Sequence, residues 1–360
     1  MLLFKNFIRP LVLLVLVISA WPAHAQEASW EEHSQAGRQA LDNADIASAK
    51  RHILAAIEAA KVLGPEDPRL GVSLNDLAQV HSALGNYEDA EMLLKESLGI
   101  LKKRLGFDHP WTITTLNNFA RLYVVTGRYS YAEVLYKQIV KITVNTLGPR
   151  HPNLGVYLSD LAYIYEWQDR FGEAEALYKV ALSIIRETLG PQHLRVVGVE
   201  INLGRLYREQ DRLDEARAAY ENALGIAGGS LGLNHPIVAE IYNGIGVINR
   251  KEGNYDTADE FHKKALEILQ SSVGSDHPHL AAVLLEIGLL DVERQNYSLA
   301  EDNFRLALDI RNRRLGPDHP KVADVLDKYA ELLRDLDRTS EAEALELRSE
   351  AIRKTVNGDQ

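Results

Sequence analysis

The chain has no cysteine among its 360 residues. Disulfides, lipid attachment at an N-terminal cysteine and thiol chemistry are therefore excluded. Basic residues are in the minority, with 40 Lys and Arg against 51 Asp and Glu, for a net charge of −11. That balance argues against a nucleic-acid partner, which takes a clustered basic face, and it repels anionic lipid surfaces. Catalytic signatures are missing as well. There is no Ser-His-Asp order, no Gly-rich phosphate loop and no His-Glu-x-x-His helix. Gly228-Gly229 stand where a helix ends and read as a loosened C-terminus, not a phosphate cradle. Acidic pairs are abundant, but they fall on exposed helix faces, where charge is the solvated default. We expect no enzyme and no cofactor.

Long apolar runs are confined to the N-terminus. Lys5 and Arg9 precede the run Leu11–Ala20, which only Ser19 interrupts, and Ala23-His24-Ala25 is a small-x-small cleavage site. This order predicts a signal peptide over 1–25, cut after Ala25, and hence a periplasmic or secreted protein with no membrane span after cleavage. The core of about 10 residues is short for a bilayer span, which takes roughly 20. An uncleaved anchor is the alternative. Cleavage would leave 38 basic and 51 acidic residues, a net charge of −13.

What the chain does have is a period. LGPEDP (63–68), LGFDHP (105–110), LGPRHP (147–152), LGPQHL (189–194), LGLNHP (231–236), VGSDHP (273–278) and LGPDHP (315–320) each begin 42 residues after the last. A fixed period of this length means a stack of supersecondary units, each of which buries its apolar face only against its neighbours. Within 147–188, Gly148 suits the left-handed position that ends a helix, and Pro152 suits the first turn of the next. Helix A is predicted from Asn153 to Trp167, with Leu154, Leu158, Leu161, Ala162 and Tyr165 on one face. Gln168-Asp169-Arg170 makes the turn. Helix B runs from Phe171 to Thr188, with Ala174, Leu177, Tyr178, Ala181, Leu182 and Ile185 inward.

These positions recur as columns. Leu77, Phe119, Leu161, Leu203, Ile245, Ile287 and Tyr329 are the large residue of helix A. The next position is small: Ala78, Ala120, Ala162, Gly204, Gly246, Gly288 and Ala330. Helix B carries Ala90, Ala132, Ala174, Ala216, Ala258, Ala300 and Ala342. Small against large at fixed positions lets two helices approach closely. A column of six histidines, His109, His151, His193, His235, His277 and His319, has two readings. They could bind a chain of metals, or Asp/Asn-His-Pro could cap helix starts. Successive layers lie about 10 Å apart, whereas zinc wants ligands at about 2 Å. One histidine per layer cannot converge on zinc, so capping is expected.

Stretches such as TLNNFARLYVVTGRYSYAEVLYKQIV (115–140) and NYEDAEMLLKESLGILKKRLGFDHP (86–110) resemble the tetratricopeptide repeat in its 42-residue, kinesin-light-chain-like form. The resemblance covers residues 37–350. It implies an all-α, right-handed superhelix of about eight antiparallel helix pairs. A degenerate N-terminal pair is expected at 26–62, seven repeat units over 63–354 with the last a cap, and a frayed tail at 355–360. It also implies a non-catalytic scaffold that binds protein or extended peptide in a groove lined by A helices.

By position, Asn75, Asn117, Ser159 and Asn243 would face that groove, with Arg121, Tyr163, Arg205, Val124, Glu166, Arg208 and Arg250. Asn118 and Trp167 stand beside them. Amides would hold a peptide backbone, and Arg121, Arg205 and Arg208 would grip acidic side chains or a terminal carboxylate. From Leu285 the lane turns apolar and then acidic, with Leu289, Asp324, Asp327 and Glu331. The alternative function is a structural subunit of an envelope or secretion complex, assembled through its outer faces or ends.

Overall fold

The computed structural model describes residues 25–41, 43, 45–272 and 277–358, with side chains to residue 354. The expected signal peptide lies outside them except for Ala25, as do residues 273–276 of the sixth signpost. Among the described residues there are sixteen helices and no strand. The chain divides into two compact units, Met1–Leu122 and Tyr123–Gln360. The first unit holds α1 (25–41), α2 (Ile46–Leu63), α3 (Pro68–Ala83), α4 (Tyr87–Leu105) and most of α5 (Pro110–Val125). The second unit holds α6 (Tyr129–Leu147), α7 (Pro152–Trp167), α8 (Phe171–Leu189), α9 (Leu194–Glu209), α10 (Leu213–Leu231) and α11 (Pro236–Lys251). It continues with α12 (Tyr255–Ser272), α13 (Pro278–Glu293), α14 (Tyr297–Leu315), α15 (Pro320–Asp335) and α16 (Thr339–Gly358). From α3 onward, odd-numbered helices are A helices and even-numbered ones are B helices.

The punctuation follows from backbone chemistry. The signpost glycines Gly106, Gly148, Gly190, Gly232 and Gly316 have φ between 83° and 93°, the left-handed region that a side chain disfavours. At the A–B turn the same region is required again. Gly85, Gly127 and Gly253 supply it without strain, while Asp169, Asp211, Gln295 and Asp337 adopt it at φ near 60°. All six column histidines act as caps. Each Nδ1 accepts the backbone N–H two residues on, from Trp111, Asn153, Arg195, Ile237, His279 and Lys321, at 3.0–3.2 Å. An imidazole nitrogen thus does the work usually given to a short oxygen side chain.

The seven helix-B alanines, Ala90 to Ala342, are all completely buried. Opposite them lie the glycines of helix A. A methyl group on Gly204, Gly246 or Gly288 would sit within 2.5–2.9 Å of the rings of Tyr220, His262 and Phe304 respectively. In the second unit each A helix touches the next, α7 to α9 to α11 to α13 to α15, while each B helix packs between the A helices on either side of it. The A helices therefore form the inner layer and the B helices the outer one.

Adjacent repeats are also tied along their turns. Arg170, Arg212 and Arg338, each one residue before a B helix, bond a glutamate in the preceding repeat, at 3.2 Å to Glu133, 2.7 Å to Glu175 and 2.7 Å to Glu301. Each also pairs with the glutamate three residues on. The Arg170 and Arg212 guanidiniums lie 3.6 and 4.3 Å from the ring centroids of Tyr165 and Tyr207. The hydrogen bond from Arg212 holds the Glu175 carboxyl down at about 2.

The glycine–ring contact makes a testable pair. Gly288→Ala presses a methyl into the buried Phe304 ring. Overpacking costs about 1–3 kcal/mol, against the roughly 1 kcal/mol that alanine gains over glycine in a helix. Gly225, inside α10, is exposed and a Cβ there meets nothing within 4 Å. Urea denaturation should show Gly288→Ala to be net destabilising and Gly225→Ala to be stabilising by up to about 1 kcal/mol. Equal signs would mean that close helix approach does not limit the fold.

Candidate peptide-binding groove

In the second unit the inner layer encloses a cavity of about 730 Å³. Its wall includes Tyr163, Glu166 and Trp167 of α7, Ile201, Arg205 and Arg208 of α9, Glu240 and Asn243 of α11, and Leu285 and Glu286 of α13. Its far end is built by Arg311, Lys321, Asp324 and Arg353. Tyr163, Glu166, Trp167, Arg205, Arg208 and Asn243, all predicted from the sequence to face the groove, thus share one cavity. Arg250 is not part of its wall. It pairs with Glu286 at 3.2 Å and with Glu293 at 3.3 Å.

The aromatic wall is rigid. Trp167 stacks on Tyr129 with ring centroids 5.3 Å apart and planes 14° apart. Tyr163 meets Trp167 edge-on at 6.3 Å, and the Arg205 guanidinium lies 4.8 Å from the Tyr163 centroid. Tyr220 fills the space beneath, against Gly204 and Gly244.

The expected basic lane is largely neutralised from within. Arg205 donates to both carboxylate oxygens of Glu166, at 2.8 and 3.1 Å, and to Asn202 at 3.0 Å. Glu166 also accepts from the Tyr178 hydroxyl at 3.2 Å. Among the described residues Arg208 forms its ion pair with its neighbour Glu209, at 2.7 Å. The acidic far end is balanced too, because Arg353 binds Asp324 at 3.2 Å and Asp327 at 2.7 Å.

Three cations of this cavity, Arg311, Lys321 and Arg353, escaped the sequence reading. Arg311 lies on α14 and is only 6 % exposed. Its guanidinium donates to the Lys321 carbonyl. Burial pulls its pKa below the ordinary arginine value, against Asp324 and Glu286. The signal was present as a column. Leu101, Thr143, Ile185, Ala227 and Leu269 occupy the same repeat position, all buried, and Arg311 breaks the run.

His262 is fully buried, where neighbouring repeats put Tyr220 and Phe304. Its Nδ1 lies 2.9 Å from Asn243 Oδ1, and its Nε2 has no hydrogen-bond partner among the described residues. His319 is the one buried member of the cap column. Its Nδ1 accepts from Lys321, so Nε2 carries the proton and donates to the Val125 backbone.

Of the remaining predicted residues, Asn75, Asn117, Asn118 and Arg121 lie in the first unit. Asn75 is buried and accepts from Asn118 Nδ2 at 2.9 Å, while donating to Asp76 at 3.2 Å. Asp76 is pushed up to about 6 by burial, against Arg38 and Asn75. Asn117 is half-buried, its Oδ1 without a hydrogen-bond partner among the described residues, and Arg121 is exposed.

The chain belongs to the tetratricopeptide repeat family, whose model matches residues 33–103, 111–187, 154–229, 197–271, 237–313 and 280–355. A search of curated proteins gives no match. Among solved structures, aspartyl phosphate phosphatase F from Bacillus subtilis is 12% identical, covers 84% of this chain and 76% of its own, and superposes with a TM-score of 0.64. A tetratricopeptide repeat protein from Parabacteroides merdae is 17% identical over 79% of this chain and 93% of its own, with a TM-score of 0.53. Kinesin light chain TPR-like repeats of Podosopora anserina are 24% identical over 58% and 97%, with a TM-score of 0.47. The first two likenesses define an all-α repeat solenoid. This family fold is that of a protein-interaction scaffold and is generally non-catalytic. No helix among the described residues is long and apolar enough to cross a membrane.

Burial of His262 sets a pH dependence. Desolvation takes its pKa down to about 4, Arg250 and Arg208 push the same way, and Glu286 and Asp259 oppose them. The folded pKa lies below the unfolded value of about 6.5, so the neutral form is favoured on folding. The resulting stability is full above about pH 6.5 and is lost as pH falls toward 4, by about 3 kcal/mol. The gap in unfolding free energy between wild type and His262→Phe, measured by urea titration at pH 7.5 and pH 4.5, should shift in favour of the variant by most of that amount. A gap independent of pH would show that His262 is not held neutral.

Proposed function

We propose that the protein is a non-catalytic scaffold of the cell envelope that holds an extended peptide or protein segment in the cavity of its second unit. The observation that carries this is the Tyr163–Trp167–Arg205 wall. Two aromatic faces and an arginine are fixed in place before any ligand arrives: Trp167 by stacking on Tyr129, and Arg205 by the two bonds to Glu166. Preorganised aromatic and arginine anchors are the side chains that dominate binding energy at interfaces, because little ordering is left to be done. Asn243 adds an amide within the same wall. With Arg205 already paired, its contribution is packing and position, and a bound acidic group would look elsewhere for its charge partner.

Export is part of the same proposal. It rests on the basic start, apolar core and Ala23-His24-Ala25 of the N-terminus. Mass spectrometry of protein recovered from the periplasm should find an N-terminus at Gln26. A retained Met1 in a membrane fraction would make the chain an anchored one.

The rival reading, assembly through the outer faces, has its own observation. Tyr131 and Val134 on the outer helix α6 are 50% and 65% exposed. A photo-crosslinking amino acid placed at either face discriminates without disturbing the core. Tyr163→p-benzoylphenylalanine should capture a protein partner in envelope extract, and Val134→p-benzoylphenylalanine should not. Capture from position 134 alone would transfer function to the outer surface.

A further inference from the structure

We propose that His33 and His52 form a zinc-binding site that joins α1 to α2 in the first unit. The site shares no residue with the cavity and does not depend on the groove reading. The two Nδ1 atoms lie 3.2 Å apart, with ring centroids 5.5 Å apart. Without metal, one ring donates a proton and the other accepts it. A zinc ion can replace that proton. With Zn–N bonds of about 2.0–2.1 Å, nitrogens 3.2 Å apart subtend about 105° at the metal, close to the roughly 109° of tetrahedral zinc. The rings reach this arrangement by turning about χ2, which is broad for histidine. The cap histidines fail the same test, since each stands one to a layer and its Nδ1 already accepts a backbone N–H.

The second ground is that the pair is held in place from behind. α1 is fixed on α3 by Trp30, whose Nε1 donates to Ser73 at 2.9 Å, and by Arg38, which donates to Asp76 at 3.1 Å. Gly37 lets α1 press on α2, where a Cβ would lie 2.7 Å from the side chain of Ile53, the neighbour of His52. Ligands carried on packed helices need little ordering before they bind. Both imidazoles are half-buried, so an ion can reach them. The residues one turn away are small, Ser29 and Gly37 around His33 and Ser48 and Ala56 around His52, which leaves room for water. Among the described residues no third ligating side chain joins the pair. Water therefore completes the tetrahedron, and the ion is exchangeable. Imidazole nitrogens without a carboxylate select zinc over magnesium and calcium. Among the described residues α1 is the terminal helix of the stack, and a terminal helix opens most easily. Zinc bound across α1 and α2 stabilises their packing by mass action.

The full chain, purified without a polyhistidine tag, should bind zinc saturably in calorimetric titration at pH 7.5. His33→Gln and His52→Gln should each fold and weaken that binding roughly tenfold or more. His279→Gln, in a second close histidine pair with ring centroids 4.9 Å apart, should leave it unchanged. Cobalt(II) should give the intense visible absorption of a tetrahedral site in wild type and not in the His33 and His52 variants. Zinc should also slow hydrogen exchange in α1 and α2 of wild type alone.

A test without substitution guards against misfolded variants. Zinc should protect His33 and His52 of the wild-type chain from diethylpyrocarbonate, read by peptide mass. Modification of both at the metal-free rate overturns the site, as does a zinc affinity unchanged in both variants. Binding that depends on both histidines but leaves exchange in α1 unaltered overturns the link between the helices. Displacement of zinc by a modest excess of magnesium overturns the nitrogen-ligated assignment.

Discussion

Everything in this molecule depends on how closely helix A and helix B of one repeat can approach. The seven fully buried helix-B alanines set that distance, and the helix-A glycines at 204, 246 and 288 admit a ring where a methyl would already collide. Close approach on the inner side brings successive A helices into contact while the B helices remain outside. The curvature of the second unit follows from that difference, and the cavity follows from the curvature. The groove is thus a consequence of small side chains far from its surface. Residues that would ordinarily be read as packing set the width available to a ligand.

The helices and their limits were legible because each depends on neighbours within a few residues. Tyr87, Tyr129, Phe171, Tyr255 and Tyr297 open B helices as the columns indicate, and the signpost glycines take the left-handed backbone that their position demands. The histidine column could be read as caps because the rival chemistry failed on distance alone. The cavity was legible in part. Column arithmetic finds which helix-A residues face inward, and Tyr163, Trp167, Arg205, Arg208 and Asn243 do meet there. It does not find what they bond. Arg205 and Glu166 are 39 residues apart, so their pairing depends on the angle between successive repeats, which no local pattern encodes. Arg311 was overlooked for a different reason. It lies on helix B, which column logic assigns to the outside, yet it lines the cavity.

The charge of the cavity is best understood as a ledger of pairs. Formal counting over the lane suggested an excess of positive charge set against an acidic chain. In the folded protein most of that excess is consumed: Arg205 by Glu166, Arg250 by Glu286 and Glu293, and Arg353 by Asp324 and Asp327. A paired arginine in a partly dry site is rigid and well placed, but it adds little net field, since its partner's opposite charge lies within hydrogen-bonding distance.

Such an arrangement divides labour by burial. The paired arginines stiffen the wall and hold the aromatic faces in register, which lowers the ordering cost of binding without favouring one charge over another. Because Arg205 is held by a carboxylate inside the partly dry wall, its pairing should weaken less with salt than any attraction of exposed Arg121, for which counterions compete freely.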